Sequence, residues 1–281
     1  MIDYHVHPDF SHDARGSVAD YCRRAVETGI EEICFTTHYE PDPERAGIEH
    51  VRVGGERRTV DSAWPWDYLA AIEESRRQFP SLIVRAGVEV GYEKGLEGKI
   101  SDFLSRYQFD FVLCGTHFVN HIAITSGAEL EEFKTRYLPL GAEWFAETFF
   151  GYVRAAVGSG LFDCIAHIDI YRKYIAPLFG GELEAACRSR LQRAVEQVAA
   201  AGIGLEVNTA GLRRGGGETY PPEWVVRAAR DAGVRTFTIG SDAHRPEDLG
   251  AGVDDARVML ARLGLRPARF SGRRLVGSGV D

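Results

Sequence analysis

Seven of the nine histidines in this 281-residue chain follow short apolar runs and keep company with one glutamate and one aspartate. The segments are His5-Val6-His7, Ser11-His12-Asp13, Thr36-Thr37-His38, Gly87-Val88-Glu89, Gly115-Thr116-His117, Ile165-Ala166-His167 and Ser241-Asp242-Ala243-His244. Imidazole and carboxylate are what Zn, Mn and Fe(II) take up, and seven histidines with two acids are too many ligands for one ion. The set points to a multinuclear metal site and to hydrolysis. Its most specific piece is H-x-H: alternate residues of an extended strand point the same way, so His5 and His7 can grip one ion, and Asp242 with His244 repeats that spacing. A lone histidine at a strand end is more often a hydrogen-bonded structural residue. His50 and His121, outside the pattern, are read that way.

Residues so far apart in sequence need elements that gather them. Strand-like runs are expected at Ile2 to His5, Glu32 to Thr37, Leu82 to Glu89, Phe109 to Thr116, Phe162 to Ala166, Ile203 to Val207 and Arg235 to Ile239. Each is short, mostly apolar and rich in Val, Ile or Phe, as strands of a parallel sheet buried on both faces are. Helical segments lie between them. Ser17 can cap a helix that ends at Gly29, and Pro221-Pro222-Glu223 can start one that runs to Gly233. Others are expected at Trp66 to Gln78, Gly98 to Arg106, Ala142 to Val157, Leu183 to Ala201 and Asp254 to Arg262. Repeated strand-then-helix order means parallel βα units. Every strand run ends in or near His, Glu, Asp or Asn. In a β/α barrel all C-terminal strand ends converge on one face, whereas an open sheet would string them along a line. An α/β barrel over residues 1–281, as one domain, is therefore expected, with the metal site at the C-terminal strand ends.

The bulk composition fits an enzyme of this size. With 44% hydrophobic and 26% charged residues, the chain lies near ordinary globular usage. A net charge of −8 repels polyanions, which argues against a nucleic-acid binder but leaves small phosphorylated metabolites open. Five cysteines without a C-x-x-C pair read as small core residues in a reducing compartment. No apolar stretch approaches the ~20 residues of a membrane span, and the first residues lack the pattern of a signal peptide, so a cytoplasmic protein is expected. The long connection from Pro41 to Pro65 leaves the ligand side of the barrel, and reads equally as a lid or specificity loop and as a solvated insertion. The basic tail from Arg266 can add a final strand around Arg274 to Val276. Oligomeric state is not set by the sequence.

The ordered motifs His5-Val6-His7, His12, Thr37-His38, Gly87-Val88-Glu89, Gly115-Thr116-His117, His167-Ile168-Asp169 and Ser241-Asp242-Ala243-His244 resemble those of the PHP (polymerase and histidinol phosphatase) superfamily. The likeness spans nearly the whole chain. Glu206-Val207-Asn208-Thr209-Ala210-Gly211-Leu212-Arg213-Arg214 and Gly240-Ser241-Asp242-Ala243-His244-Arg245-Pro246 look most like its stand-alone histidinol-phosphate phosphatases. The resemblance implies a distorted (β/α)7 barrel with three divalent metal ions, of which Zn, Mn and Fe(II) all suit the ligands. Carried over by motif, His5, His7, Glu89 and Asp242 hold a first ion. Glu89 bridges to a second, completed by His117 and His167, and His12, His38 and His244 hold the third. One departure is visible: the family often has T-D-H where this chain has Thr36-Thr37-His38, which bears on the orientation of that ligand and on the third ion.

The activity so implied is hydrolysis of a phosphomonoester, L-histidinol phosphate, in histidine biosynthesis. Several divalent ions bind the phosphoryl oxygens and lower the pKa of a bridging water toward ~7, so that a metal-bound hydroxide attacks phosphorus in line. Asp242 is the expected handler of the nucleophile's proton, with His244 beside it in the catalytic pair. Arg172 and Arg213, in loops just after ligand strands, are expected to bind phosphate through their forked guanidinium groups. Other readings are a phosphatase or phosphodiesterase for another small phosphorylated metabolite, a noncatalytic metal-binding module, and a metal-dependent amidohydrolase. The nine-ligand set argues against the second, and the lack of a lysine at a strand end against the third.

Overall fold

The computed structural model describes residues 1–214 and 217–277. Seven strands pair in chain order into one parallel sheet: β1 (Ile2–Val6), β2 (Glu32–Tyr39), β3 (Ile83–Gly91), β4 (Phe111–Gly115), β5 (Cys164–Ile165), β6 (Gly204–Asn208) and β7 (Phe237–Gly240). The sheet curls until its edges meet. Val6 forms a parallel bridge with Ala243, the His7 N–H donates to the Ala243 carbonyl at 2.9 Å, and the Asp242 N–H donates to the His5 carbonyl at 2.8 Å. The seven strands expected from the sequence are thus all present, each within a few residues of its expected bounds, in a nearly closed barrel.

Helices wrap the outside: α1 (Val18–Thr28), α2 (Trp64–Gln78), α3 (Glu97–Arg106), α4 (Gly141–Ser159), α5 (Gly181–Ala201), α6 (Glu223–Ala232) and α7 (Val253–Arg262). Helix α1 shows why local signals were readable. Ser17 and Asp20 form a reciprocal capping box, and Gly29 ends the helix in the left-handed conformation with φ 73. Outward-facing Ile33, Phe35, Tyr39, Val84, Val88, Val112 and Leu205 pack with the helices in the larger core.

Inside the barrel, the end opposite the ligands is apolar. Ile2, Tyr4, Cys34, Phe111, Leu113, Cys164 and Ala166 form a separate cluster, completed by Ala268 and Phe270 from the tail. The tail is an antiparallel hairpin, Arg269–Ser271 with Arg274–Val276, so the strand expected near Arg274 exists. Its role could not be read from the sequence, because it plugs the barrel. The Phe270 N–H donates to the Tyr4 hydroxyl at 2.8 Å, and Arg273 pairs with Asp163 at 2.9 Å. All five cysteines are free and buried, as expected of core residues. Among the described residues, no helix is long and apolar enough to cross a membrane.

Candidate metal centre

A bulge in β1 aims the first ligands. Asp3 pairs with Ile33 and Val6 with Phe35, so β1 spends one residue more than β2 over the same stretch. The extra residue resets the alternation: Tyr4 points into the apolar plug, and His5 and His7 still point inward at the far end. Glycines make the room. A Cβ on Gly240 would lie 2.2 Å from the His5 Cβ, and one on Gly115 would lie 2.2 Å from His117 Nε2 and 2.8 Å from Glu89 Oε1. At the end of β7, Asp242 adopts φ 55, a left-handed conformation that aspartate tolerates better than most residues.

Glu89 stands fully buried at the middle of the site. Its Oε2 is 3.2 Å from His5 Nε2, 3.4 Å from His7 Nε2 and 3.1 Å from His38 Nδ1. Its Oε1 faces a different pair, His117 Nε2 at 3.1 Å and His167 Nε2 at 3.0 Å. Asp242 Oδ1 lies 3.5 Å from His7 Nε2, 3.7 Å from His5 Nε2 and 3.4 Å from His244 Nδ1. His7 stacks between His38 and His244, with ring centroids 4.1 and 4.3 Å away. Ligand atoms of His5, His7 and Asp242, of His5, Glu89 and His167, and of His7, His38 and His244 lie close enough to share ions.

His12 is placed differently. It lines the recess above the centre, but its nearest acid is Glu49 at 3.9 Å and its ring lies 4.9 Å from that of His50. Asp13, its neighbour, reaches His244 Nε2 at 3.2 Å and His38 Nε2 at 3.9 Å. Thr37 pairs in register with Val88 and, between outward-facing Phe35 and Tyr39, turns to the helix side of the sheet. The residue that departs from the T-D-H pattern thus points away from the ligands.

Three acids that the sequence reading did not select hold the imidazoles in position. The His5 Nδ1–H donates to Glu206 Oε1 at 2.6 Å, while Glu206 Oε2 accepts from the His167 N–H at 2.9 Å and from Asn208 Nδ2 at 3.2 Å. The His117 Nδ1–H donates to Glu40 Oε1 at 2.6 Å, and Asp13 serves His244. Glu206 was visible at a strand end in the quoted EVN motif. Glu40 follows His38 by two residues on an extended run, a signal that alternation alone could have caught.

These partners make the site fit metal ions. With Nδ1–H committed to an acid, His5 and His117 direct Nε2 inward, the nitrogen that a metal ion would take in place of a proton. His5 Nε2, His7 Nε2, His38 Nδ1 and Glu89 Oε2 are buried atoms without a hydrogen-bond partner, all facing one another. Nitrogen and oxygen ligand atoms so gathered are costly unless protons or a metal cation join them. Burial pushes the Glu89 and Asp242 carboxyls up, but the surrounding imidazoles outweigh it and hold both well below the usual carboxylate range. They stand as anions, as ligands must.

The recess over the centre holds about 450 Å³, room for a small metabolite, between His12, His38, His117, Asp242 and His244 on one side and Arg45, Glu49, Phe118, Glu129 and Lys173 on the other. Arg45, Ile48 and Glu49 belong to the Pro41 to Pro65 connection, whose base is pinned where the Arg52 N–H donates to the Phe10 carbonyl at 2.9 Å. The connection's early residues Arg45, Ile48 and Glu49 form a wall of the recess. Arg213 lines an adjoining recess with Asp242, His244 and Lys173, donating from Nη2 to the Ser241 carbonyl at 2.7 Å. Arg172 lies outside the walls of both, bound to Asp169 at 3.2 Å and to Glu218 at 2.5 Å. The side chain of Arg214 lies outside the described residues.

Fold and site together define a β/α-barrel protein with a histidine-rich centre suited to divalent metal ions. Residues 3–210 match the PHP domain family, and the chain belongs to that family. A probable histidinol-phosphatase of Deinococcus radiodurans is 29% identical over 98% of both chains. The histidinol-phosphatase of Lactococcus lactis subsp. lactis is 24% identical over 98% of this chain and 96% of its own. A crystal structure of histidinol phosphate phosphatase from the same bacterium, complexed with Zn, L-histidinol and phosphate, shares the fold with a TM-score of 0.78 at 22% identity over 98% of both chains.

Proposed function

We propose that this chain is a metal-dependent phosphomonoesterase that hydrolyses L-histidinol phosphate to L-histidinol and phosphate. The observation that carries the chemistry is Glu89, whose two oxygens face separate sets of imidazoles, as a carboxylate bridging two ions must. The substrate rests on relatives matched nearly end to end whose names specify it.

In this reading His5, His7, Glu89 and Asp242 hold one ion, and Glu89, His117 and His167 a second. His38 and His244 hold the third, with Asp13 beside them, and His12, whose ring lies next to Glu49 and His50, joins them only by turning toward His38. Zn, Mn and Fe(II) all suit the donors. Divalent ions at these positions supply charge for the phosphoryl oxygens and lower the pKa of water toward ~7. Asp242, kept anionic and reaching the recess, accepts the nucleophile's proton, and His244, with Nδ1 at 3.4 Å from its Oδ1, can pass a proton on. Arg213 is the better placed of the two expected phosphate ligands, because it lines a recess with Asp242 and His244, its Nη1 has no partner, and its nearest carboxylate, Asp248, stands 4.0 Å away. Arg172 reaches a phosphate only by releasing Glu218.

Metal-reconstituted protein should release phosphate from L-histidinol phosphate far faster than from sugar phosphates. Equal rates on both would sink the substrate, and no phosphatase activity with two or more ions per chain would sink the hydrolase.

A further inference from the structure

Three consecutive barrel strands lead into loops that gather a second set of metal-ligating side chains. Asp42 follows β2, Glu93 follows β3, and His121 sits at the tip of the hairpin Phe118–Val119/Ile122–Ala123 that follows β4. One ligand atom from each lies within 4.8 Å of the other two. None of the three lines the recess above the centre. We propose that Asp42, Glu93 and His121 bind a further divalent transition-metal ion, which ties these three loops together.

Glu93 is the main reason. The residue is only 6% exposed, it contributes an oxygen to the group, and its Oε2 is buried without a hydrogen-bond partner, although the Tyr152 hydroxyl stands beside the carboxyl. A carboxylate oxygen left so is costly, and a cation shared by the Glu93 and Asp42 carboxylates would remove the cost. Asp42 is 2% exposed; its Oδ1 accepts from the Glu44 N–H at 3.0 Å and its Oδ2 lies 2.7 Å from His121 Nδ1. The imidazole is half exposed, which leaves space for water to complete a coordination shell. Its backbone is strained: Asn120 and His121 have φ 46 and φ 67, a turn whose second position glycine occupies most easily. Here a histidine stands instead, facing Asp42.

The donor set selects the ion. Two carboxylates and an imidazole suit Mn, Fe(II) or Zn, whereas Ca and Mg prefer oxygen alone. Occupancy would act on the recess through Arg45. Asp42 caps the Pro43–Arg45 turn, and the buried Arg45 donates to the His121 carbonyl at 2.7 Å and lies 4.2 Å over the Phe118 ring. Arg45, Phe118 and Glu129 are recess walls. An ion here would therefore stiffen the substrate-facing wall without touching Glu89.

The competing explanation is a plain Asp42–His121 ion pair. Crystals grown with saturating Mn²⁺ and measured at the manganese edge should show an anomalous peak among Asp42, Glu93 and His121, besides those around Glu89. Elemental analysis should find one ion fewer per chain in Glu93→Gln, which keeps the side-chain shape, and in His121→Ala. The rise in Tm on adding Mn²⁺ should also be smaller in both variants than in the wild type. No peak at saturating Mn²⁺, or unchanged metal content in both variants with a Tm deficit equal in the presence and absence of Mn²⁺, would overturn the proposal.

Discussion

Glu206 offers the sharpest test of how the centre is held. Its two oxygens serve only donors: Oε1 accepts from His5 Nδ1 at 2.6 Å, and Oε2 accepts from the His167 N–H at 2.9 Å and from Asn208 Nδ2 at 3.2 Å. In Glu206→Gln one of those faces becomes an NH₂. If the amide oxygen stays toward His5, its NH₂ confronts the two donors on the other side, at a cost of about 1–3 kcal/mol for the unmet groups. If the amide flips, it donates to His5 Nδ1 and drives the imidazole proton to Nε2, the atom aimed at Glu89. Either outcome spoils a metal ligand from outside the coordination shell. Such changes weaken metal binding about 10–100-fold, or about 1.4–2.8 kcal/mol. Metal-free variant titrated with Zn²⁺ or Mn²⁺ should therefore show a midpoint shifted by that factor, with phosphatase activity recovered at high metal. Circular dichroism would confirm that it is folded. A folded variant with wild-type metal affinity and wild-type rate would refute the claim that Glu206 orients His5.

Three further outcomes follow from the same geometry. Gly240→Ala should lower stability by about 1–3 kcal/mol and reduce metal content, because its Cβ would meet the His5 Cβ at 2.2 Å and Glu206 Oε1 at 2.4 Å; a variant with unchanged Tm and metal content would show that the wall can yield. Phe270→Ala should cost about 3–5 kcal/mol in denaturant unfolding yet leave the metal content of the folded protein unchanged, since Phe270 fills the opposite end of the barrel; loss of metal would mean that the two ends are coupled. Metal affinity should fall with pH. Burial disfavours charge on His38, but Glu89 outweighs it and holds the metal-free imidazole up to about 9, so below that pH a proton must leave before metal binds, at about tenfold in affinity per pH unit for this group alone. His5 and His117, where burial is likewise outweighed and carboxylates hold the imidazole above the ordinary range, steepen the dependence. In the metal-free protein the sign reverses: the raised His38 pKa contributes stability in full below about 6.5, lost as pH rises through about 9. Metal affinity that is flat between pH 6.5 and 9 would contradict this.

Legibility differed from residue to residue for physical reasons. His5, His7, Glu89, His117, His167 and Asp242 were readable because each ends an apolar run, and parallel strands in a barrel bring such ends together. Helix α1 was readable because Ser17, Asp20 and Gly29 act within a few residues of one another. His12 carried the same signal as the others, yet it lies beside Glu49 and His50 while Asp13 faces His244. On a loop, neither residue's direction follows from alternation. The Thr37 departure looked consequential in the motif, and the strand turns that residue to the helix side. Arg172 and Arg213 looked equivalent as basic residues after ligand strands, but Arg172 is engaged closely by Asp169, three residues away, and by Glu218 from a distant segment, whereas the carboxylate beside Arg213, Asp248, stands 4.0 Å off.

By itself the sequence determined the kind of site and where it would form: ligand types at strand ends, and the alternation of strand and helix that gathers them, are local properties of the chain. Only the tertiary structure decided which acids bond to the outer nitrogens of the imidazoles and which stand among their inward-facing ones. Glu40, Glu89 and Glu206 are the same residue type, Glu89 and Glu206 on barrel strands and Glu40 just past the end of β2. What separates them is which imidazole nitrogen each one meets, and that depends on the β1 bulge, on the room left by Gly115 and Gly240, and on the closing of β7 against β1.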